Sequence, residues 1–187
     1  MRIIPKILTE KWWGNILLGF LAAVIFYYVI LAGVLSSSTP VVAVVSSSME
    51  HTNPEVTYYQ WLGKNLGYNR SYIESWPDSN GFNVGDMPIV EGGKPFTGLF
   101  SLAGPSENQK YEVGDVIVYS VNGVSAPIIH RIIKINDDGT YQTKGDNNLG
   151  QLSYEQSVKP EQIKGKVIFI IPKIGYFKVI LNRLSGV

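Results

Sequence analysis

The stretch from Trp12 to Leu35, WWGNILLGFLAAVIFYYVILAGVL, contains no charged residue. Nothing else in the chain restricts its folding so strongly. A run this long and apolar is what a helix needs to cross a hydrocarbon core of ~30 Å. Trp12 and Trp13 open it, where indole rings favour the headgroup layer. Arg2, Lys6 and Lys11 precede it against the single acid Glu10. The positive-inside rule therefore assigns residues 1–11 to the cytoplasm and everything after residue 36 to the far side. A cleavable secretory signal would have an apolar region of only ~7–15 residues. Val42-Ala43 offers a weak small-residue site for such cleavage, but a retained anchor over 12–35 is the better expectation. Ser36-Ser37-Ser38-Thr39-Pro40 is then a polar exit in which proline stops the helix.

With 187 residues, one compact domain is expected beyond the anchor, over 41–187. The 45% hydrophobic and 17% charged content suits a folded domain with one membrane segment. Sixteen basic against 15 acidic residues give a net charge of +1, which offers no argument for a nucleic-acid partner. With no cysteine, disulfides, thiolate zinc sites, iron–sulfur clusters and cysteine nucleophiles are excluded. Two histidines, His51 and His130, are too few for a His-rich metal centre. No metal and no cofactor is expected.

Val41 to Val45 are small and mostly β-branched, which favours a strand. Ser46, Ser47 and Ser48 follow where a strand hands over to a turn. Residues 52–84 form a polar and aromatic insertion with Tyr58, Tyr59, Trp61, Tyr68, Tyr72 and Trp76, broken by Gly63, Gly67 and Pro77. Its VTYYQWLGKNL segment predicts one short helix, and its aromatics a satellite core. Gly85-Asp86 before Met87-Pro88-Ile89-Val90, and Gly114-Asp115 before Val116-Ile117-Val118-Tyr119, read as turn-then-strand units separated by a loop over 91–110. Asn122-Gly123 signals a hairpin into the strand Pro127–Ile135, and Asp138-Gly139 a second one into Tyr141–Lys144. Lys166–Ile171 is a further strand, closed by Pro172. The fold class is thus mainly β, an antiparallel all-β domain behind one N-terminal helix. The segment IGYFKVILNRL, within 174–187, is too short and too charged to span a bilayer; it suits an amphipathic element on the domain or membrane surface.

A serine hydroxyl is a poor nucleophile until a base takes its proton. Ser48 stands close behind the anchor, and any Ser–His mechanism must use one of the two histidines. His130 lies in an apolar strand, where a packed core role competes with a catalytic one. Strand alternation puts His130, Ile132 and Lys134 on one face and Arg131 and Ile133 on the other, so Lys134 is an alternative base. Asp146, in Lys144-Gly145-Asp146-Asn147-Asn148, suits either an Asx turn or the third member of a triad, and spacing does not choose between them.

Taken together, Ser46-Ser47-Ser48-Met49-Glu50, the two Gly-Asp strand starts, Pro127-Ile128-Ile129-His130-Arg131 and Lys144-Gly145-Asp146-Asn147-Asn148 resemble the type I signal peptidase family, in its endoplasmic reticulum and archaeal branch. The likeness covers residues 12–51 and 82–180 in order, closing with Gly165-Lys166-Val167 and Pro172-Lys173-Ile174-Gly175. It implies a membrane-anchored serine endopeptidase that removes signal peptides from translocated preproteins. Ser48 would be the nucleophile and His130 the general base. The Ser46 hydroxyl and the Ser48 backbone N–H would form the oxyanion hole, and Asp146 matches the Asp of the family's box. Signal peptides, the lipid bilayer and the protein translocation machinery are the implied partners.

There are departures. The family's proline two places after the methionine is replaced by His51, which stands near enough to Ser48 in sequence to compete as base. Many relatives carry an acid about six residues beyond the box Asp; here that position is Leu152. Asp146 is the first choice to orient His130 and Glu155 the second, with a Ser–His dyad as the remaining option. The insertion at 52–84 and the loop after Asn148 lean towards an archaeal cell membrane over the endoplasmic reticulum. Two rival readings stand beside the peptidase: a catalytically inactive anchored β-domain acting as a complex subunit, and a self-processing or general membrane protease.

Overall fold

The computed structural model describes residues 12–37, 39–92, 111–176 and 180. The N-terminal residues 1–11, most of the loop expected over 91–110 and most of the segment 174–187 lie outside them.

The N-terminal helical path has three parts: α1 (Trp12–Ile25), a π-helical stretch (Phe26–Leu31) and the single turn α2 (Ala32–Val34). The wider π-helical turns continue the path directly from α1 into α2. Among the described residues no helix is long and apolar enough to cross a membrane by itself. The single spanning helix expected over 12–35 is therefore not met as such. The side chains of Trp12, Trp13, Phe20, Ile25 and Phe26 are nonetheless exposed along the path.

The rest is built on a five-stranded sheet in the order β1-β5-β2-β3-β4, with every neighbouring pair antiparallel. The strands are β1 (Met87–Glu91), β2 (Val116–Tyr119), β3 (Ile128–Ile135), β4 (Tyr141–Lys144) and β5 (Ile163–Ile171). They fall where the turn signals set them. The two Gly-Asp starts share one local mechanism: Gly85 and Gly114 take left-handed φ values of 87° and 101°. The Asp86 and Asp115 carboxylates then accept the N–H groups of Asn83 and Glu112, three residues back, at 2.8 and 3.0 Å. Gly123 and Gly139 likewise turn the two hairpins, with φ of 85° and 80°. Val41–Val45 is extended but joins the sheet only loosely. Val41 bridges Ile89, and the Val42 and Val44 N–H groups donate to Pro88 and Asp86 carbonyls.

Alternation along β2 sends Val116 and Val118 to one face and Ile117 and Tyr119 to the other. The first face packs Val44, Met49, Phe82, Val90 and Val167; the second packs Tyr111, Ile132, Val158 and Ile163. The insertion folds as a π-helical stretch (Glu55–Gln60) running into α3 (Trp61–Leu66), then α4 (Arg70–Glu74). Gly67 ends α3 at φ 74°, and the Asn69 side chain caps α4 by accepting the Tyr72 N–H. Tyr58, Leu62, Ile73 and Trp76 form a satellite core with Ile133 of β3, as the aromatics predict.

Candidate active site

Ser48 is set by its neighbour. Met49 is buried in the core beneath the turn, and its carbonyl accepts the Phe82 N–H at 3.0 Å. The turn is closed by the Glu50 N–H donating to the Ser47 carbonyl at 3.1 Å. With Met49 pointing in, Ser46 and Ser48 face outward, and their Oγ atoms are 3.2 Å apart. They open onto a cleft of about 330 Å³ that is also lined by Ala43, Val45, Ala126, Ile128, His130 and Leu152.

His130 reaches the same cleft from β3, where it pairs with Ile117 of β2 and packs edge-on to Tyr119. Behind it lies Glu155, fully buried at the end of the 3-10 turn Ser153–Glu155. One carboxylate oxygen, Oε1, is in ion-pair contact with His130 Nδ1, although the two are not aligned as a linear hydrogen bond. Neither atom has another polar partner among the described residues. The second oxygen, Oε2, accepts the Leu152 N–H at 2.5 Å, which fixes the carboxylate. This leaves Nε2 as the ring nitrogen on the side of the nucleophile. A Cβ placed on Gly145 would meet His130 Nε2 at 2.9 Å and the Ser48 carbonyl at 2.8 Å. Gly145 is thus the floor against which both residues rest, and any larger residue there would push them away.

The structure does not bring Asp146 to His130. Its buried carboxylate accepts from Arg131 Nε at 3.0 Å and Arg131 Nη2 at 2.8 Å, and lies 3.1 Å from His51 Nε2. The first choice for the imidazole's partner is corrected by geometry: that place is taken by Glu155, the second choice. Burial pushes the Asp146 carboxyl up, but the Arg131 charge and the His51 and Arg131 hydrogen bonds outweigh it and hold it below the ordinary carboxylate range. Arg131 is itself fully buried and donates to the Pro77, Gly114 and Asp78 carbonyls at 2.6, 2.8 and 2.8 Å.

His51, the other base candidate, is turned away onto Asp146 and does not line the cleft. Lys134 is exposed near the end of β3, beyond a bulge between Ile132 and Lys134 that ends the regular alternation. It does not line the cleft either.

Three contributors escaped the sequence reading. The Asn147 backbone N–H donates to the Ser48 carbonyl at 2.8 Å and its side-chain amide to the Ser47 carbonyl at 3.1 Å, tying the two turns together. Arg131 is the hub that joins Asp146 to the insertion. Lys144 is buried, donates to the Thr57 and Gly145 carbonyls at 2.7 and 3.0 Å, and sits 5.1 Å over the Trp61 ring. Burial pushes its ammonium down to about 8, against the opposing pull of Asp146 and Glu155. Only the charged residues flanking His130 and Gly145 hinted at these roles. Among the described residues no group of His, Asp or Glu side chains is arranged to hold a metal ion.

No family model matches the chain. It is similar to the signal peptidase complex catalytic subunit SEC11 of Colletotrichum graminicola, with 36% identity over 85 residues, 40% of this chain and 48% of the relative. The subunit of the same name from Scheffersomyces stipitis is 32% identical over 87 residues, 42% of this chain and 52% of the relative. That of Lachancea thermotolerans is 35% identical over 89 residues, covering 42% and 53%. The chain thus spans about half the length of the curated relatives it matches. None of the three is archaeal, so they lend the archaeal leaning no support.

Proposed function

We propose that this chain is a membrane-anchored serine endopeptidase that cleaves signal peptides from translocated preproteins. The observation that carries the reading is the pairing of a buried carboxylate with a histidine that shares a cleft with a serine: Glu155 on His130 Nδ1, and Ser48 on the open side. An anion on Nδ1 holds the proton there, so Nε2 carries the lone pair a general base needs. In this mechanism Ser48 Oγ attacks the scissile carbonyl carbon and His130 Nε2 takes its proton. The tetrahedral oxyanion is met by the Ser46 hydroxyl and the Ser48 N–H. His130 then protonates the departing amine, and water releases the acyl group by the same route in reverse. Glu155 takes the orienting role first given to Asp146.

The substrate enters as an extended strand, held by backbone hydrogen bonds and by small apolar pockets. Ala43, Val45, Ala126 and Ile128 give the cleft the walls for the small side chains that the family resemblance implies. The named relatives, catalytic subunits of a signal peptidase complex, support the same substrate class.

Anchoring rests on the helical path. Its three parts follow one another without a break from Trp12 to Val34; α1 alone covers about 21 Å at ~1.5 Å per residue, and the π-helical stretch and α2 extend the path towards the ~30 Å of a hydrocarbon core. The path ends against the sheet, where the Gly92 N–H donates to the Leu35 carbonyl at 2.8 Å. On β5 and after it, Ile168, Phe169, Ile174 and Tyr176 are exposed apolar side chains, of a kind suited to a headgroup layer. A cleft held there meets a peptide whose apolar segment is still in the bilayer.

The test is cleavage of a preprotein in detergent or liposomes by the wild type and by Ser48→Ala and His130→Ala variants. Each substitution is expected to lower kcat by at least about 10³-fold. Undiminished processing by Ser48→Ala would overturn the mechanism.

A further inference from the structure

We propose that His51 is a positioning residue that holds the nucleophile turn in register with the base. The inference rests on the serine-peptidase reading and deepens it. Position 51 is where the family resemblance leads one to expect proline, so the residue is this chain's own solution to a local demand. The demand is visible: Ser48 sits half-buried on a short turn whose Ser46 and Ser47 are exposed. Met49 fixes the turn from below. What fixes it sideways is polar.

His51 leaves the turn in the direction of Asp146, and its Nε2 lies 3.1 Å from Asp146 Oδ2. Asp146 in turn is clamped by Arg131, the residue next to His130. Beside the Asn147 bonds to the Ser47 and Ser48 carbonyls, a second chain of contacts therefore runs from the serine turn through His51 and Asp146 to Arg131, and so to the strand that carries the base. Asp146 contributes by fixing the nucleophile relative to the base, while Glu155 fixes the imidazole ring. The two acids divide one task.

The surroundings leave His51 little freedom. Its ring lies 4.8 Å from that of Tyr58, at a 46° tilt. On the other side Gly81, at φ 67°, comes so close that a Cβ there would meet the Met49 carbonyl at 2.3 Å and His51 Cδ2 at 2.6 Å. Both neighbours belong to the 52–84 insertion, and Arg131 also donates to its Pro77 and Asp78 carbonyls. The insertion is thus the outer wall of the His51–Asp146–Arg131 chain, in which Asp146 and Arg131 are buried and His51 partly so. At a largely buried site a charge-assisted contact of this kind resists the small displacements that cost a reaction much of its rate.

Two variants separate positioning from folding. His51→Leu keeps the volume and loses the donor; His51→Gln places an amide N–H near the former Nε2. Preprotein cleavage is expected to show kcat reduced about 10- to 100-fold in His51→Leu, with KM within about twofold, and kcat restored to within about threefold in His51→Gln. Hydrogen–deuterium exchange gives a readout that needs no activity. Peptides covering 46–51 and 145–148 are expected to exchange at least about tenfold faster in His51→Leu than in wild type or His51→Gln, with β2 unchanged. Wild-type kcat and exchange in His51→Leu overturn the inference, as does a His51→Gln variant impaired as much as His51→Leu in both. If wild type and Ser48→Ala are equally inactive, the peptidase reading fails, and the exchange comparison alone then decides whether His51 holds the two turns together.

Discussion

Replacing Glu155 with glutamine is the sharpest perturbation of the proposed mechanism, because it changes one charge and almost no volume. Oε2 of Glu155 accepts the Leu152 N–H, and Oε1 faces His130 Nδ1. An amide has one acceptor and one donor to share between those positions. If its oxygen keeps the Leu152 N–H, its NH₂ faces Nδ1. The imidazole must then accept at Nδ1 and carry its proton on Nε2, the tautomer that cannot receive a proton from Ser48. If it flips, its NH₂ meets the Leu152 N–H, and two buried donors oppose each other with no acceptor between them. The first arrangement is cheaper and catalytically dead. Amide replacement of the acid in a Ser-His-Asp triad lowers kcat by about 10⁴ through this tautomer reversal. A comparable loss here, about 10³ to 10⁴, corresponds to ~4–5.5 kcal/mol of transition-state stabilisation. Single-turnover cleavage of a preprotein by wild type, Glu155→Gln and Asp146→Asn measures it, with thermal midpoints to confirm folding. A Glu155→Gln variant within tenfold of wild type would refute the assignment. So would a folded Asp146→Asn variant that is the more damaged of the two.

Other consequences follow from the same geometry. Arg131→Met leaves the buried Asp146 anion with His51 as its only side-chain partner and strips the Pro77 and Gly114 carbonyls of their donor, and is expected to lower stability by about 3–5 kcal/mol in chemical denaturation. Gly145→Ala presses a methyl between Ser48, His130 and Asn148, so kcat is expected to fall about 100-fold while the fold survives. Asp146 is held below its ordinary value of 3.8, so its stabilisation is complete above that pH and is lost as pH falls through the folded value. Below about pH 4 wild-type stability is expected to drop more steeply than that of Asp146→Asn. Lys144 has the same sign in an alkaline window, for a different reason: burial disfavours its charged form. Between about 8 and 10.5 the unfolded chain holds a proton that the folded chain has released, so stability gains a contribution that rises with pH. Lys144→Met is expected to lack that rise when thermal midpoints are compared across the window.

The strand-to-turn setting of Ser48 and the strand of His130 were legible because their surroundings are local, while the roles expected of the two came from the family resemblance. A β-branched run ending in serines makes a strand-to-turn exit, and an apolar strand between two turn signals carries His130 wherever it packs. Lys134 shows the limit: alternation holds through Ile133, which shares the Tyr58 side with Arg131, but Lys134 is exposed beyond a bulge that only the partner strand reveals. The choice between Asp146 and Glu155 was of the same kind. Both acids follow β4, and neither composition nor spacing says which way a carboxylate turns.

The sequence by itself determined the apolar N-terminal stretch, the order of the strands along the chain and the candidate nucleophile and base. The first two depend on short-range sterics, namely glycine at left-handed φ, β-branched residues in extended backbone, and uncharged length; the candidate nucleophile and base rest on the likeness of their motifs to the family. Only the tertiary structure decided that Glu155 rather than Asp146 meets the imidazole, that His51 turns to Asp146, and that the insertion walls in both turns. Those outcomes follow from burial. A charge taken out of water must find a partner, and Arg131, reaching from β3 into the insertion, claimed Asp146 and left the imidazole to Glu155.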